Sequence, residues 1–126
     1  MNESQVRRFS VAARSTDVFG RVLCSARDQH FVIDGPVQNG CPGEATTPLE
    51  LFLSAVASCG VELAQVIARN EGISLASVAV EAHGMVDRSN QSRSDVTVPN
   101  QVRLQFTLEG VDNDEAGKLI ESFKRR

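Results

Sequence analysis

The 126-residue chain contains no tryptophan and no tyrosine, and its six phenylalanines bring the aromatic content to only 5%. Its core must therefore be built mainly from aliphatic side chains. Small domains with few aromatic side chains often gain stability by oligomerising, so we expect an oligomer. The length predicts a single domain over residues 1–126.

An excess of basic residues is also lacking: 13 Lys and Arg stand against 16 Asp and Glu, with a formal net charge of −3. No basic stripe is present to neutralise phosphates, so a nucleic-acid partner is not expected. Residues 1–8 lack the apolar segment of a signal peptide, and the longest nearly apolar run, residues 51–61, is too short to span a bilayer. These features predict a cytoplasmic protein with no membrane contact.

Cysteines are few, and Cys24, Cys41 and Cys59 stand 17 and 18 residues apart. An odd count does not describe a disulfide framework, and no CxxC or Cys/His spacing suggests zinc. His30 and His83 each stand alone on a predicted strand, which favours solvated or hydrogen-bonded histidines over metal ligands. We therefore expect reduced thiols and no bound metal.

Short alternating apolar segments predict two groups of strands. The first group occupies residues 6–34 as an antiparallel meander, with strands at 8–13, 19–26 and 30–33. A Gly-rich loop is expected over residues 38–46. The second group occupies residues 76–108, with strands at 76–86 and 102–108, and a final helix is expected over residues 113–126. Strands and helices without strict alternation indicate an α+β fold.

One long helix is predicted between the two groups, over residues 47–71. Thr47 and Glu50 have the spacing of a capping box, and Pro48 occupies the first helical position. Gly72 is expected to end the helix. Apolar residues occupy most of its circumference, so the helix should be buried almost all round. A narrow polar stripe remains, and Cys59 lies at its edge.

The helix start Thr47–Leu51, the segment Ala57–Cys59 and the passage from Glu71 to Val80 resemble the family of osmotically inducible protein C and the organic hydroperoxide resistance proteins. The motif is a cysteine eleven residues after the proline that starts a helix. The resemblance implies an intertwined homodimer, with antiparallel sheets, a long buried central helix and active sites at the subunit interface. It also implies a peroxidase of organic hydroperoxides that uses cysteines and a thiol reductant, without metal or other cofactor.

The resemblance assigns Cys59 as the attacking thiol, in a pocket lined by Phe52, Val56 and residues of the partner chain. A thiolate attacks the O–O bond, which gives a sulfenic acid and an alcohol, and a nearby cation favours the thiolate. In the family this cation is an arginine of the N-terminal strands. Arg14 and Arg21 lie in that region, and Arg21 is the first candidate.

Glu50 is the candidate for the carboxylate that holds the arginine. In the hydroperoxide resistance proteins this glutamate directly follows the helix-starting proline, a position that is Leu49 here. Glu50 is displaced by one residue, and its capping role explains it without catalysis.

The family places a resolving cysteine just after the last helix, where this sequence ends at Lys124-Arg125-Arg126. Either the cysteine follows Arg126 in a longer chain, or this member lacks the two-cysteine cycle. Cys41 would be the substitute, because its loop directly precedes the long helix, whereas Cys24 is expected to pack within a strand.

Two other functions stay open. One is a non-catalytic family member that binds an apolar small molecule at the dimer interface, which the displaced Glu50 and the missing second cysteine favour. The other is a structural dimer module in which Cys59 is inert.

Overall fold

A computed structural model describes residues 5–125 of the chain. Its elements, in chain order, are β1 (Ala12–Ser15), β2 (Arg21–Ala26), β3 (Gln29–Asp34), a short 3-10 helix (Val37–Asn39), α1 (Pro48–Asn70), β4 (Ser77–Met85), β5 (Gln101–Glu109) and α2 (Asn113–Lys124). The α+β class is confirmed. The chain divides into two compact units, and the boundary between them falls within α1, after Leu51 and before Phe52. Each unit is described separately. The single domain over residues 1–126 stays a prediction.

The first unit contains an antiparallel sheet with the strand order β1-β2-β3, which confirms the predicted meander. The first strand begins at Ala12, however, so its predicted position at residues 8–13 is wrong. Its pairing starts with Ala12 opposite Ser25. Since β2 ends at Ala26 and the chain then turns, residues before Ala12 face almost no strand with which to form a ladder.

The segment after β3 is folded back by backbone hydrogen bonds. The Gly35 N–H donates to the Gly20 carbonyl at 2.8 Å, and the Gly43 N–H donates to the Gly35 carbonyl at 3.1 Å. The Asp34 N–H donates to the Thr46 carbonyl at 3.1 Å. The predicted loop is therefore tied to the end of β3 just before α1 begins.

The second unit contains the antiparallel pair β4 and β5, in register from Ser77 opposite Glu109 to Met85 opposite Gln101. Ile67, Ala68 and Leu119 form its buried centre, so α1 and α2 share one core. The side chains packed against this centre are aliphatic or aromatic: Ile73, Leu75, Leu108 and Phe123.

The helix starts and ends largely follow the predictions. Helix α1 begins at Pro48 after Thr47 and ends at Asn70 before Gly72, which has a left-handed φ of +68°. Helix α2 begins after Asp112, which forms a capping box with Glu115. The predicted final helix extended to Arg126, which lies outside the described residues.

The predicted burial of α1 almost all round is not found in the single chain. Its buried residues are Gly60, Ala64, Ile67 and Ala68, whereas Phe52 is 49% exposed. The reason is that only one side of the helix packs against other elements. The run 51–61 alone is too short to span a bilayer, but the whole of α1 is long and apolar enough to do so. Core helices of soluble proteins share this property.

Candidate active site

Cys59 lies near the middle of α1 and is exposed. The next residue, Gly60, is buried against the β4–β5 pair: a Cβ there would lie 3.1 Å from Cζ of Phe106 and 3.4 Å from Cγ2 of Val80. A helix with 3.6 residues per turn places Cys59 about 100° round from Gly60. The thiol therefore belongs to the side of α1 that its own unit leaves uncovered.

That uncovered side is largely apolar around the thiol. Phe52 precedes Cys59 by seven residues, which places the two on the same side of a helix, two turns apart. Ala55, one turn before Cys59, is also exposed. Val56, the second residue of the predicted pocket, is half-buried. The chain thus presents an exposed thiol beside an exposed apolar surface.

Arg21, at the start of β2, lies in the first unit and is held by two carboxylates. Its Nε donates to Oδ1 of Asp34 at 2.8 Å, and its Nη2 donates to Oδ2 of Asp34 at 2.9 Å. Nη2 also donates to Oε1 of Glu44 at 2.9 Å. Asp34 is completely buried, and the Glu44 side chain is 78% exposed. Since β2 and β3 pair with Arg21 opposite Asp34, the sheet register places the two side chains together.

Backbone N–H groups supply two further hydrogen bonds to the Asp34 carboxylate. Its Oδ2 accepts the N–H of Glu44 at 3.0 Å and the N–H of Ala45 at 2.8 Å. Because Arg21 and then these two N–H groups favour the charged carboxylate, the pKa of Asp34 lies well below its ordinary value, against the opposing effect of desolvation. Asp34, and then Glu44, raise the pKa of Arg21. Both groups of this ion pair are therefore charged at neutral pH.

Neither Asp34 nor Glu44 was identified from the sequence as a site residue. Asp34 ends an apolar strand directly before Gly35 and Pro36, which indicates only a strand end. A charged residue closing a strand that is otherwise apolar could have signalled a buried partner, but the partner lies 13 residues earlier. Local sequence patterns do not report such a pairing.

Glu50 belongs to the helix cap. Its Oε1 accepts the N–H of Thr47 at 3.0 Å and the hydroxyl of Thr47 at 2.9 Å. These bonds, the backbone one first, lower the pKa of Glu50. Arg21 and Glu50 lie in the same unit but make no ion pair with each other among the contacts of the described residues. The arginine is thus anchored here by Asp34 and Glu44.

Cys41 is half-buried and packed between two glycines. A Cβ on Gly20 would lie 2.6 Å from Cβ of Cys41, and one on Gly35 would lie 2.9 Å from the same atom. The two glycines make room for this side chain. Cys24 is half-buried within β2, in agreement with a packing role.

The histidines contact single polar groups. Nδ1 of His30 lies 2.9 Å from the hydroxyl of Ser25, and Nε2 of His83 lies 3.7 Å from Oε1 of Glu81. Within residues 5–125, no group of three or more His, Cys, Asp or Glu side chains is arranged to hold a metal ion.

Sequence comparison identifies the family. The model of the OsmC-like protein family matches residues 41–126, which is more than half of the chain and includes Cys59. The chain belongs to the OsmC-like protein family. The matched segment begins at Cys41 and contains the whole of α1 and the second unit. Among curated protein sequences, no significant match is found.

Solved structures share the OsmC-like fold at low sequence identity. An OsmC-like protein from Mycoplasma pneumoniae is 15% identical with a TM-score of 0.80, covering 95% of this chain and 82% of its own. An organic hydroperoxide resistance protein OsmC from Legionella pneumophila is 20% identical with a TM-score of 0.75, and the match covers 95% of this chain and 84% of that protein. An organic hydroperoxide resistance protein from Elizabethkingia anophelis is 17% identical with a TM-score of 0.76, and the match covers 97% of this chain and 84% of that protein. At these identities the likeness shows the fold alone.

Proposed function

We propose that this OsmC-like protein is a cysteine-based peroxidase that reduces organic hydroperoxides through Cys59. The observation that carries the proposal is an exposed thiol on α1, eleven residues after Pro48, in a chain of this family. Structural relatives described as organic hydroperoxide resistance proteins support it.

The reaction starts with attack of the Cys59 thiolate on the terminal oxygen of the hydroperoxide. The O–O bond breaks, an S–O bond forms, and the alkoxide takes up a proton and leaves as an alcohol. Sulfur is oxidised to a sulfenic acid while the peroxide is reduced. A positive charge favours the thiolate, and Arg21 is the residue that we assign to this role.

The sulfenic acid condenses with a second thiol, which forms a disulfide and releases water. We propose a thiol reductant from outside the chain for this step. Cys41 would have to leave its place between Gly20 and Gly35 to take part. An external thiol requires no such movement of Cys41.

We further propose that the protein works in the cytoplasm as a homodimer whose second copy covers the exposed side of α1. Leu51 and Phe52 are 37% and 49% exposed in the single chain. Because only this fraction of each side chain is left to bury, its burial is favourable by roughly 0.5–1.5 kcal/mol each. The pocket for the organic part of the substrate would then be formed by Phe52, Val56 and residues of the second copy.

A second candidate function is binding of an apolar small molecule without catalysis. The engagement of Glu50 in the helix cap favours it, because the family's glutamate position is Leu49 here. It requires the same exposed apolar surface but no reactive thiol.

The peroxidase proposal is tested by hydroperoxide consumption in the presence of dithiothreitol. We expect the wild-type protein to consume cumene hydroperoxide catalytically and Cys59→Ser to lose this activity. Cys24→Ser is the matched control, since Cys24 lies within β2, and it should keep the activity. Equal consumption by wild type and Cys59→Ser would refute the proposal. Tight binding of cumyl alcohol, the product of cumene hydroperoxide reduction, without turnover would favour the binding function.

A further inference from the structure

Glycine directly follows one aspartate and one asparagine in this chain, in the pairs Asp34-Gly35 and Asn39-Gly40. Every other asparagine or aspartate is followed by a larger residue. In such a pair the backbone nitrogen of the glycine can attack the side-chain carbonyl of the residue before it, because no Cβ obstructs the approach. The product is a five-membered succinimide ring. The two positions most open to this reaction therefore lie close together in the sequence, before α1.

The structure protects the first pair. The Asp34 carboxylate is completely buried and accepts four hydrogen bonds, two from a guanidinium and two from backbone N–H groups of the following loop. The attacking nitrogen is also engaged, since the Gly35 N–H donates to the Gly20 carbonyl at 2.8 Å. Both reacting groups are fixed by bonds that must break first. Ring closure at Asp34 therefore requires the end of β3 to open.

The second pair has much less protection. Asn39 is the last residue of the 3-10 helix, and both Asn39 and Gly40 are exposed. Within residues 5–125, the Asn39 side-chain amide makes no hydrogen bond, and only its backbone carbonyl receives one, from Cys41. The Gly40 N–H donates to the Val37 carbonyl at 2.9 Å. Beyond the chain neighbours, no heavy atom of the described residues would lie within 4 Å of a Cβ on Gly40, so there is room for a ring.

We propose that Asn39 is a site of spontaneous modification to aspartate and isoaspartate. The Gly40 nitrogen loses its proton and forms a bond to Cγ of Asn39, the Cγ–Nδ2 bond breaks, and ammonia leaves. Water then adds to either carbonyl of the ring and opens it, which gives the two products. The reaction needs water but no oxidant or reductant, and the proposal does not depend on the peroxidase activity.

The isoaspartate product should release Cys41. Isoaspartate lengthens the backbone by one methylene group, because the chain then runs through the former side chain. The Cys41 N–H donates to the Pro36 carbonyl at 3.4 Å, and the Cys41 side chain fills the space between Gly20 and Gly35. An extra backbone atom in this short turn must displace a closely packed side chain. We therefore expect the modification to make the Cys41 thiol more accessible.

The first test follows Asn39 and Asp34 by peptide mass spectrometry, in the folded protein and in guanidinium chloride, at the same mildly alkaline pH. Deamidation is read from the mass gain, and electron-transfer fragmentation separates isoaspartate from aspartate. One backbone hydrogen bond opposes ring closure at Asn39, so we expect folding to slow this reaction by no more than about tenfold. At Asp34 several bonds must break, so we expect folding to slow isoaspartate formation by more than about a hundredfold.

Asn39→Gln is the control for the site, because glutamine would have to form a larger ring, and it should stay unmodified at residue 39. An Asn39 that folding protects as strongly as Asp34 would overturn the proposed site.

The second test measures alkylation of Cys41 by iodoacetamide. We expect Cys41 to react at least about threefold faster in the isoaspartate fraction than in intact protein. Cys24, within β2, should react equally in both fractions. Asn39→Asp adds the charge without the longer backbone, so its Cys41 should react as slowly as in the intact protein. Equal Cys41 rates in the two fractions would refute the release of Cys41, and a parallel increase at Cys24 would show general unfolding and refute a local effect.

Discussion

Gly60 is a residue at which α1 packs closely against the β4–β5 pair, and Gly60→Ala tests that packing. The added Cβ would lie 3.1 Å from Cζ of Phe106, so the ring would have to retreat by a few tenths of an ångström. Its retreat is restricted, because the ring packs edge-on against Phe123 with centroids 5.1 Å apart. Alanine gains about 1 kcal/mol over glycine in a helix interior, whereas overpacking a buried site costs about 1–3 kcal/mol. We therefore expect Gly60→Ala to lower the free energy of unfolding by about 1 kcal/mol.

Gly117 in α2 is the matched control. It is exposed, and no heavy atom among the described residues beyond its own helix backbone and chain neighbours would lie within 4 Å of an added Cβ. Gly117→Ala should raise the free energy of unfolding by about 1 kcal/mol, so that the two variants differ by about 2 kcal/mol. Urea unfolding at one fixed protein concentration measures both. A Gly60→Ala variant stabilised as much as Gly117→Ala would refute the close packing of α1 beside Cys59.

Two further predictions concern the core and the ion pair of Arg21 and Asp34. Leu119 is only 1% exposed, so Leu119→Ala should lower the free energy of unfolding by about 2–5 kcal/mol in the same urea experiment, and a loss below about 1 kcal/mol would contradict its central position. The folded state lowers the pKa of Asp34 below its unfolded value of 3.8, so the stability that this carboxylate contributes is complete above 3.8 and is lost as the pH falls toward the folded pKa. Melting temperatures between about pH 6 and about pH 3 should therefore fall more steeply for wild type than for Asp34→Asn, and parallel curves would argue against the charged pair.

Features set by neighbouring residues could be predicted from the sequence. The start of α1 is an example, because Thr47, Pro48 and Glu50 specify a cap through contacts three residues apart. The same holds for Asp112 and Glu115 at the start of α2. Alternating side chains likewise predicted β4 and β5 to within a residue or two at each end.

Features set by pairing across the chain could not be predicted in the same way. The position of β1 depends on where β2 turns, and the apolar pattern of residues 8–13 does not contain that information. The anchoring of Arg21 by Asp34 depends on the β2–β3 register, and its contact with Glu44 depends on how the loop folds back. The exposure of Phe52 shows that apolar periodicity does not tell which side of a helix its own chain leaves uncovered.

The rate at which Cys59 is oxidised tests the central proposal most directly. Reduced wild-type protein and free cysteine are mixed with cumene hydroperoxide at the same pH, and loss of the Cys59 thiol is followed by peptide mass spectrometry. We predict that Cys59 reacts at least about a hundredfold faster than free cysteine, as expected when positioned groups assist the reaction. A Cys59 that reacts no faster than free cysteine would contradict the proposal that this chain is a peroxidase.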